Sequence, residues 1–178
     1  MARAFFLKTN RVGFSEWTPE DRELAEQLWG DADVTQWICA SGRFSPKDIE
    51  ERLEREIENL REHRVQYWPI FELQTNELIG CCGLRTYREG QYEIGFHLRP
   101  PFWRQGYAVE AARAVIGYAF TVLQAESLFA GHHPCNAASR RVLDKLGFRY
   151  IGDEFYEPTG LFHPSYELKK EERIIKTR

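Results

Sequence analysis

Apolar and polar positions alternate imperfectly over residues 5–14, and that period predicts a first strand. At Thr18-Pro19-Glu20-Asp21 the signal changes to that of a helix start. A threonine stands at the N-cap, a proline at the first helical position, and two acids in the first turn. This helix is predicted to run to about Trp29 and to stop at Gly30. Residues 31–44, which include Trp37, Ile38, Gly42 and Arg43, hold no period. Ser45-Pro46-Lys47-Asp48 then opens a second helix, with Ile49, Leu53, Ile57 and Leu60 on one stripe. Its other face is dense in charge and reads as a solvated surface.

Residues 65–73 and 78–87 flank Thr75-Asn76-Glu77 and predict an antiparallel hairpin. A turn at Arg88-Glu89-Gly90-Gln91 leads into a strand over 92–98, which Arg99-Pro100-Pro101 ends because proline has no N–H for a ladder. Helical spacing returns at Ala108, Ala111, Ala112, Val115, Ala119 and Leu123. A short strand at 128–132 follows, then a helix capped at Pro134-Cys135-Asn136, carrying Val142, Leu143 and Leu146 and ended by Gly147. Residues 148–155 and 162–168 form a last hairpin across Pro158-Thr159-Gly160, and the tail from Lys169 is charged and predicted to fray. A strand, a helical crossover and the next strand make a parallel pair, while the remaining strand pairs are hairpins. The expected fold is therefore α/β with a mixed sheet, in one domain over residues 1–178.

The chemistry centres on Trp103-Arg104-Gln105-Gly106-Tyr107-Ala108-Val109-Glu110-Ala111. Here a strand gives way to a small-residue turn and a helix start, where unpaired backbone N–H groups and the helix dipole face an anion. Arg104 adds a full positive charge. No Gly-Lys-Ser/Thr follows, so this is not a Walker loop, and three glycines directly after a strand are also lacking. The arrangement reads as a diphosphate cradle at the carboxyl end of a parallel strand.

Composition narrows the partners. Hydrophobic residues are 43% of the 178, charged residues 29%, and the formal charge is −3, which gives no reason to expect nucleic acid. No apolar run approaches the ~20 residues of a membrane span, and the first residues lack a signal-peptide core. Cys81 and Cys82, being adjacent on a strand, point to opposite faces and should not pair. With Cys39 and Cys135 they are expected as free thiols of a cytoplasmic protein.

Three ordered motifs carry a resemblance: Glu93-Ile94-Gly95-Phe96-His97-Leu98, the cradle, and Asn136-Ala137-Ala138-Ser139 through Lys145-Leu146-Gly147-Phe148. Together they resemble the GNAT acyltransferases, and within them the RimJ/RimL-like branch of ribosomal-protein N-terminal acetyltransferases, which the opening Trp17-Thr18-Pro19-Glu20-Asp21 also looks like. The resemblance implies the GNAT fold: a mixed, mostly antiparallel sheet of about seven strands, its parallel pair splayed at the cofactor site, flanked by about four helices. It implies acetyl-CoA as donor and a small-molecule or peptide amine as acceptor, with neither nucleic acid nor membrane as partner, in a monomer or homodimer. Cofactor contacts carry over to Arg104, Gln105, Gly106, Tyr107 and Ala108 for the pyrophosphate, and to Phe96, His97 and Leu98 for the pantetheine arm. The N–H near His97 would polarise the thioester carbonyl. Asn136 matches the family asparagine beside the pantetheine, and Ser139 lies one turn on. Trp103 stands where the family usually has arginine or glutamine, and Leu143 stands at the position of the tyrosine that protonates the departing thiolate in many members.

Acetyl transfer needs a neutral amine, and an α-amino group of pKa about 8 supplies more of it at neutral pH than a lysine near 10.4. A modest base acting through water suffices, and Glu93 is the candidate from the resemblance. Ser139 is the candidate hydrogen-bond donor to the sulfur, since no Ser-His-Asp logic surrounds it as a nucleophile. His132 and His133 read as packing residues. Acceptor recognition is expected from residues 31–44, where Trp37 and Phe44 either wall a pocket or pack in the core, and from the last hairpin, where Asp153, Glu154 and Glu157 either favour a cationic amine or form a solvated turn. A non-catalytic acyl-CoA-binding module is the alternative reading.

Overall fold

In the computed structural model, residues 3–171 are described. Eight strands form one sheet in the order β1-β2-β3-β4-β5-β6-β8-β7. They are β1 (Leu7–Lys8), β2 (Val12–Phe14), β3 (Tyr67–Glu72), β4 (Leu78–Arg88), β5 (Gln91–Leu98), β6 (Ser127–Gly131), β7 (Arg149–Tyr156) and β8 (Leu161–Lys169). Between them lie α1 (Arg22–Trp29), α2 (Ala32–Thr35), α3 (Pro46–His63), α4 (Tyr107–Thr121) and α5 (Ala137–Leu146). All strand pairs are antiparallel except β5–β6, the pair expected from the helical crossover. Of the charged tail, residues 172–178 lie outside the described residues.

The helix signals act as read. Ser45 Oγ accepts from the Asp48 N–H, and Asp48 returns a bond to the Ser45 N–H, closing a capping box before α3. Thr18 and Asp21 make the equivalent box ahead of α1, with Pro19 opening a short 3₁₀ turn. Gly147, at φ 84°, ends α5 in the left-handed region that glycine occupies without a Cβ penalty.

Two expectations need correction. The single first strand is a tight hairpin: the Thr9 N–H donates to the Val12 carbonyl, and the Val12 N–H donates back to Thr9 Oγ1. A hydroxyl satisfying the turn amide lets the chain reverse where alternation suggested continuity. This split, with the short α2, gives eight strands and five α-helices rather than seven and four.

The sheet separates two cores. One, under α4 and α5, gathers Trp68, Ile70, Cys82, Leu84, Ile94, Leu98, Ala111, Val115 and Leu143. The other, under α1–α3, gathers Trp17, Leu28, Trp29, Leu53, Tyr67, Phe71 and Cys81. Cys81 and Cys82 thus face opposite layers, and all four cysteines are free. The second correction concerns α3. Arg52 and Glu56, counted with its solvated face, are buried at 6% and 0% exposure. They share the inward spacing of Ile49 and Leu53. No helix among the described residues is long and apolar enough to cross a membrane.

Candidate active site

β5 is hydrogen-bonded to β6 only over 91–93, so from Ile94 onward its outer edge parts from its neighbour. On the inner side the Arg99 N–H donates to Ile79 O, in register with the β4 pairs Cys81–His97 and Gly83–Gly95. Strand alternation then turns the His97 N–H toward β4 and leaves those of Phe96 and Leu98 facing the open edge. The amide next to His97, that of Leu98, is therefore the one directed into the gap. The Leu98 carbonyl on that edge accepts from the Trp103 indole Nε1–H at 2.7 Å. Trp103, at the position where the broad family usually has arginine or glutamine, ties the cradle to the strand.

The cradle has the geometry of an anion site. Arg104 (φ 59°) and Gly106 (φ 84°) are both left-handed, an alternation that turns successive amides toward one point. Gly106 is the N-cap of α4 and has no side chain to satisfy the first-turn N–H groups, so these stay open. Holding a non-glycine residue such as Arg104 at positive φ costs about 1–3 kcal/mol, a strain typical of ligand clamps. Beside the cradle lies a hollow of about 480 Å³ lined by Arg11, Gly106, Val109, Glu110, Arg113 and Lys145, three of them cationic. Open amides, a free strand edge and basic walls suit a coenzyme A thioester: a diphosphate at the helix start and an extended amide-containing arm along β5.

Arg11 was missed by the sequence reading. Its backbone N–H and Nε donate to the two oxygens of Glu110, its Nη1 donates to Gln105 O, and its guanidinium lies 4.2 Å from the Tyr107 ring centroid. Burial would raise the Glu110 carboxyl, but the hydrogen bonds from Thr9 and Arg11 hold it below the ordinary glutamate range. Tyr107 is itself a buried anchor whose hydroxyl donates to Glu72, so only its backbone is free for a ligand. Gln105 donates to Pro101 O, and Ala108 packs partly into the α4 core.

On the opposite face of β5 stand Glu93, Gly95 and His97. Gly95 is where Tyr67 rests, since a Cβ there would run into the tyrosine ring. His97 accepts from the Trp29 indole at 3.2 Å, and burial holds its imidazole well below the usual range, hence neutral. Glu93 sits at the fork where β5 leaves β6 and opposite Arg85 on β4. Its carboxylate accepts no hydrogen bond among the described residues. Burial raises its pKa, partly offset by Arg85 and Arg52. Burial and the Glu93 charge keep the hydroxyls of Tyr67 and Tyr156 protonated.

Behind Glu93 is a buried ionic cluster. Glu56 accepts from Arg52 Nε at 2.8 Å, Arg85 Nη2 at 2.7 Å and the Tyr67 N–H at 2.8 Å. Burial alone would raise the Glu56 carboxyl, yet the two guanidiniums and this amide bond hold it below its usual range. Arg52 Nη2 and Arg85 Nε are buried with no acceptor, each an uncompensated donor of the kind that costs about 1–3 kcal/mol. The i,i+4 pair Arg52–Glu56, at the same inward spacing as Ile49 and Leu53, was the available signal.

The remaining candidates divide. Asn136 is the N-cap of α5, its Oδ1 accepting from the Ser139 N–H, and Ser139 is half-buried in the first turn. Leu143 is 1% exposed in the core, so no proton donor stands at that position. Trp37 packs against His133 with ring centroids 4.8 Å apart, and Ala40 N–H donates to Pro158 O, so the 31–44 segment and the last hairpin meet. Phe44 instead packs with the Trp17–Trp29 core. His132 bonds His133 O and Tyr166 Oη, a packed residue rather than a free base.

Comparison with known proteins gives one consistent relation. The profile of the acetyltransferase (GNAT) domain matches residues 11–149. A Bacillus licheniformis relative named uncharacterized N-acetyltransferase p20 is 28% identical over 148 residues, 82% of this chain and 83% of that protein. A GNAT-family acetyltransferase structure from Bacillus anthracis superposes with TM-score 0.79 at 26% identity, covering 94% of this chain and 99% of the other. RimJ from Mycobacterium smegmatis, solved with CoA-disulfide, shares the fold at TM-score 0.76 and 19% identity, covering 90% and 83% of the two chains.

Proposed function

The chain belongs to the GNAT acetyltransferase family and is an acyl-CoA-dependent N-acetyltransferase with acetyl-CoA as donor, and on that premise we propose that it acetylates a primary amine by direct attack, with Glu93 as the base. Acetyl-CoA, when bound, supplies the acetyl group as a thioester whose carbonyl is open to an amine. The first-turn amides of Gly106, Tyr107 and Ala108, with Arg104 and Arg11 beside them, hold the diphosphate. The edge amides of Phe96 and Leu98 orient the arm and donate to the carbonyl oxygen. Asn136 fixes the first turn of α5, and with it Ser139, next to the sulfur.

The observation that carries the catalytic assignment is the Glu93 carboxylate, half-buried at the strand fork and free of hydrogen bonds among the described residues. The amine lone pair forms the C–N bond as the C–S bond breaks. Glu93 receives the proton lost by nitrogen, directly or through water; the Ser139 hydroxyl donates a hydrogen bond to the departing thiolate, which takes its proton from solvent water. With Leu143 filling the core, no tyrosine is assigned that last step. Four free thiols suit a reducing compartment, and one continuous sheet supports a single catalytic domain over residues 1–178.

The test is thiol release from acetyl-CoA with a panel of amino acids, polyamines and peptides, alongside thermal unfolding with and without acetyl-CoA. Turnover with at least one amine and a rise in Tm with acetyl-CoA are expected. Binding without turnover across the panel would overturn the reading.

A further inference from the structure

The acceptor side of the site carries more positive charge than an amine needs. Arg52 and Arg85 approach Tyr67 together, their guanidinium carbons 5.4 and 4.4 Å from its ring centroid. Both are anchored through one nitrogen to the single carboxylate of Glu56. The Arg52 side chain is 6% exposed and leaves Nη2 without an acceptor; Arg85 leaves Nε so and keeps 23% of its side chain open. Glu93, opposite Arg85 in the ladder, takes no hydrogen bond from either arginine. Of the nearby acids, Glu154 is exposed and engaged by the Tyr87 hydroxyl, while Arg55 adds a further positive charge near Tyr156.

Once Glu93 has taken the proton lost by the attacking nitrogen, two guanidiniums face the one remaining carboxylate, that of Glu56. A substrate bearing only amines adds positive charge beside them. One bearing an anion restores neutrality beside Arg85, whose side chain keeps 23% of its surface open, and a carboxylate matches a guanidinium fork in shape.

We propose that Arg85, backed by Arg52, binds a carboxylate of the acceptor, so that the substrate class is small amino carboxylic acids, with the amine directed to Glu93 and the carboxylate to the Arg85 side of the same cleft. This rests on the proposed acetyl transfer to an amine and narrows it. The guanidiniums form no bond to the reacting atoms; they set which amine is held. Glu56 is the positioning residue, since it fixes both forks and the Tyr67 amide at once.

The experiment compares free α-amino acids with their own carboxamides, using thiol release from acetyl-CoA on the native enzyme. The amide's amine is the less basic, so intrinsic reactivity favours the carboxamide, and any preference for the acid comes from the site. We expect kcat/KM for the best amino acid to exceed that of its carboxamide by about 100-fold. Arg85→Gln should bring the acid down to the level of the amide, mainly through KM, with the acetyl-CoA-induced rise in Tm retained as proof of folding. Equal rates for acid and amide, or a preference for spermidine or a peptide N-terminus, would overturn the carboxylate assignment while leaving amine acetylation standing. Absence of turnover with every amine would remove both.

Discussion

At the start of α4, the proposed donor site is built from main-chain amides whose direction is set by Arg104 and Gly106 at positive φ. Across β5 the proposed acceptor site is built from side chains of α3 and β4, Arg52 and Arg85, tied with the Tyr67 amide of β3 to Glu56, with Glu93 of β5 beside them. The first kind of site depends on backbone shape and tolerates varied side chains. The second depends on the identity of each residue and on elements far apart in the chain. On the proposed assignment a family can keep its donor while changing its acceptor, because different layers of the sheet would hold the two.

The sharpest way to break the donor half is Gly106→Glu. A side chain at φ 84° is strained, and a carboxylate would face the diphosphate. The acetyl-CoA-induced rise in Tm should disappear and activity fall below detection; a variant that still shows the full rise would refute the cradle. Glu93→Gln should leave that rise intact while lowering kcat by about 10²–10⁴-fold. Burial lifts the Glu93 carboxyl above the ordinary glutamate range, and a base works only when deprotonated. The native rate should thus fall as pH drops through that raised value, and this acid limb should be missing from the pH profile of the variant.

Glu56→Ala strikes the acceptor half through stability. It leaves two buried guanidiniums without their carboxylate, a loss of about 3–5 kcal/mol, read as a Tm lowered by roughly 10 °C. If the two halves are independent, acetyl-CoA should still raise the lowered Tm. The smallest effect is expected from Arg11→Ala, which removes one cation beside the cradle. KM for acetyl-CoA should rise about 10-fold, in line with one charged hydrogen bond, with little change in kcat.

The same contrast explains what the sequence disclosed. Gly106, the capping boxes and the Asn136 cap are local, so their spacing alone placed the cradle and the helix starts. The hairpin at Thr9 was hidden because a hydroxyl closing a turn leaves no mark on alternation. Arg52 and Glu56 were misjudged because charge on a helix is normally solvated, and burial became affordable only through Arg85 and the Tyr67 amide, more than ten residues away. Phe44 and Trp37 were equivalent as sequence, but packing sends one into the lower core and the other against His133.

The clasp between Arg11 and Glu110 joins residues 99 positions apart. During synthesis the first hairpin leaves the ribosome about 5–20 s before its carboxylate partner, at elongation rates of about 5–20 residues per second. Until then the guanidinium has no counterion, and the turn at Gln105 that it later props does not exist. On the proposed site, coenzyme capture is thus a late event in the life of the nascent chain, and removing the segment through Arg11 would loosen a grip formed more than ninety residues downstream.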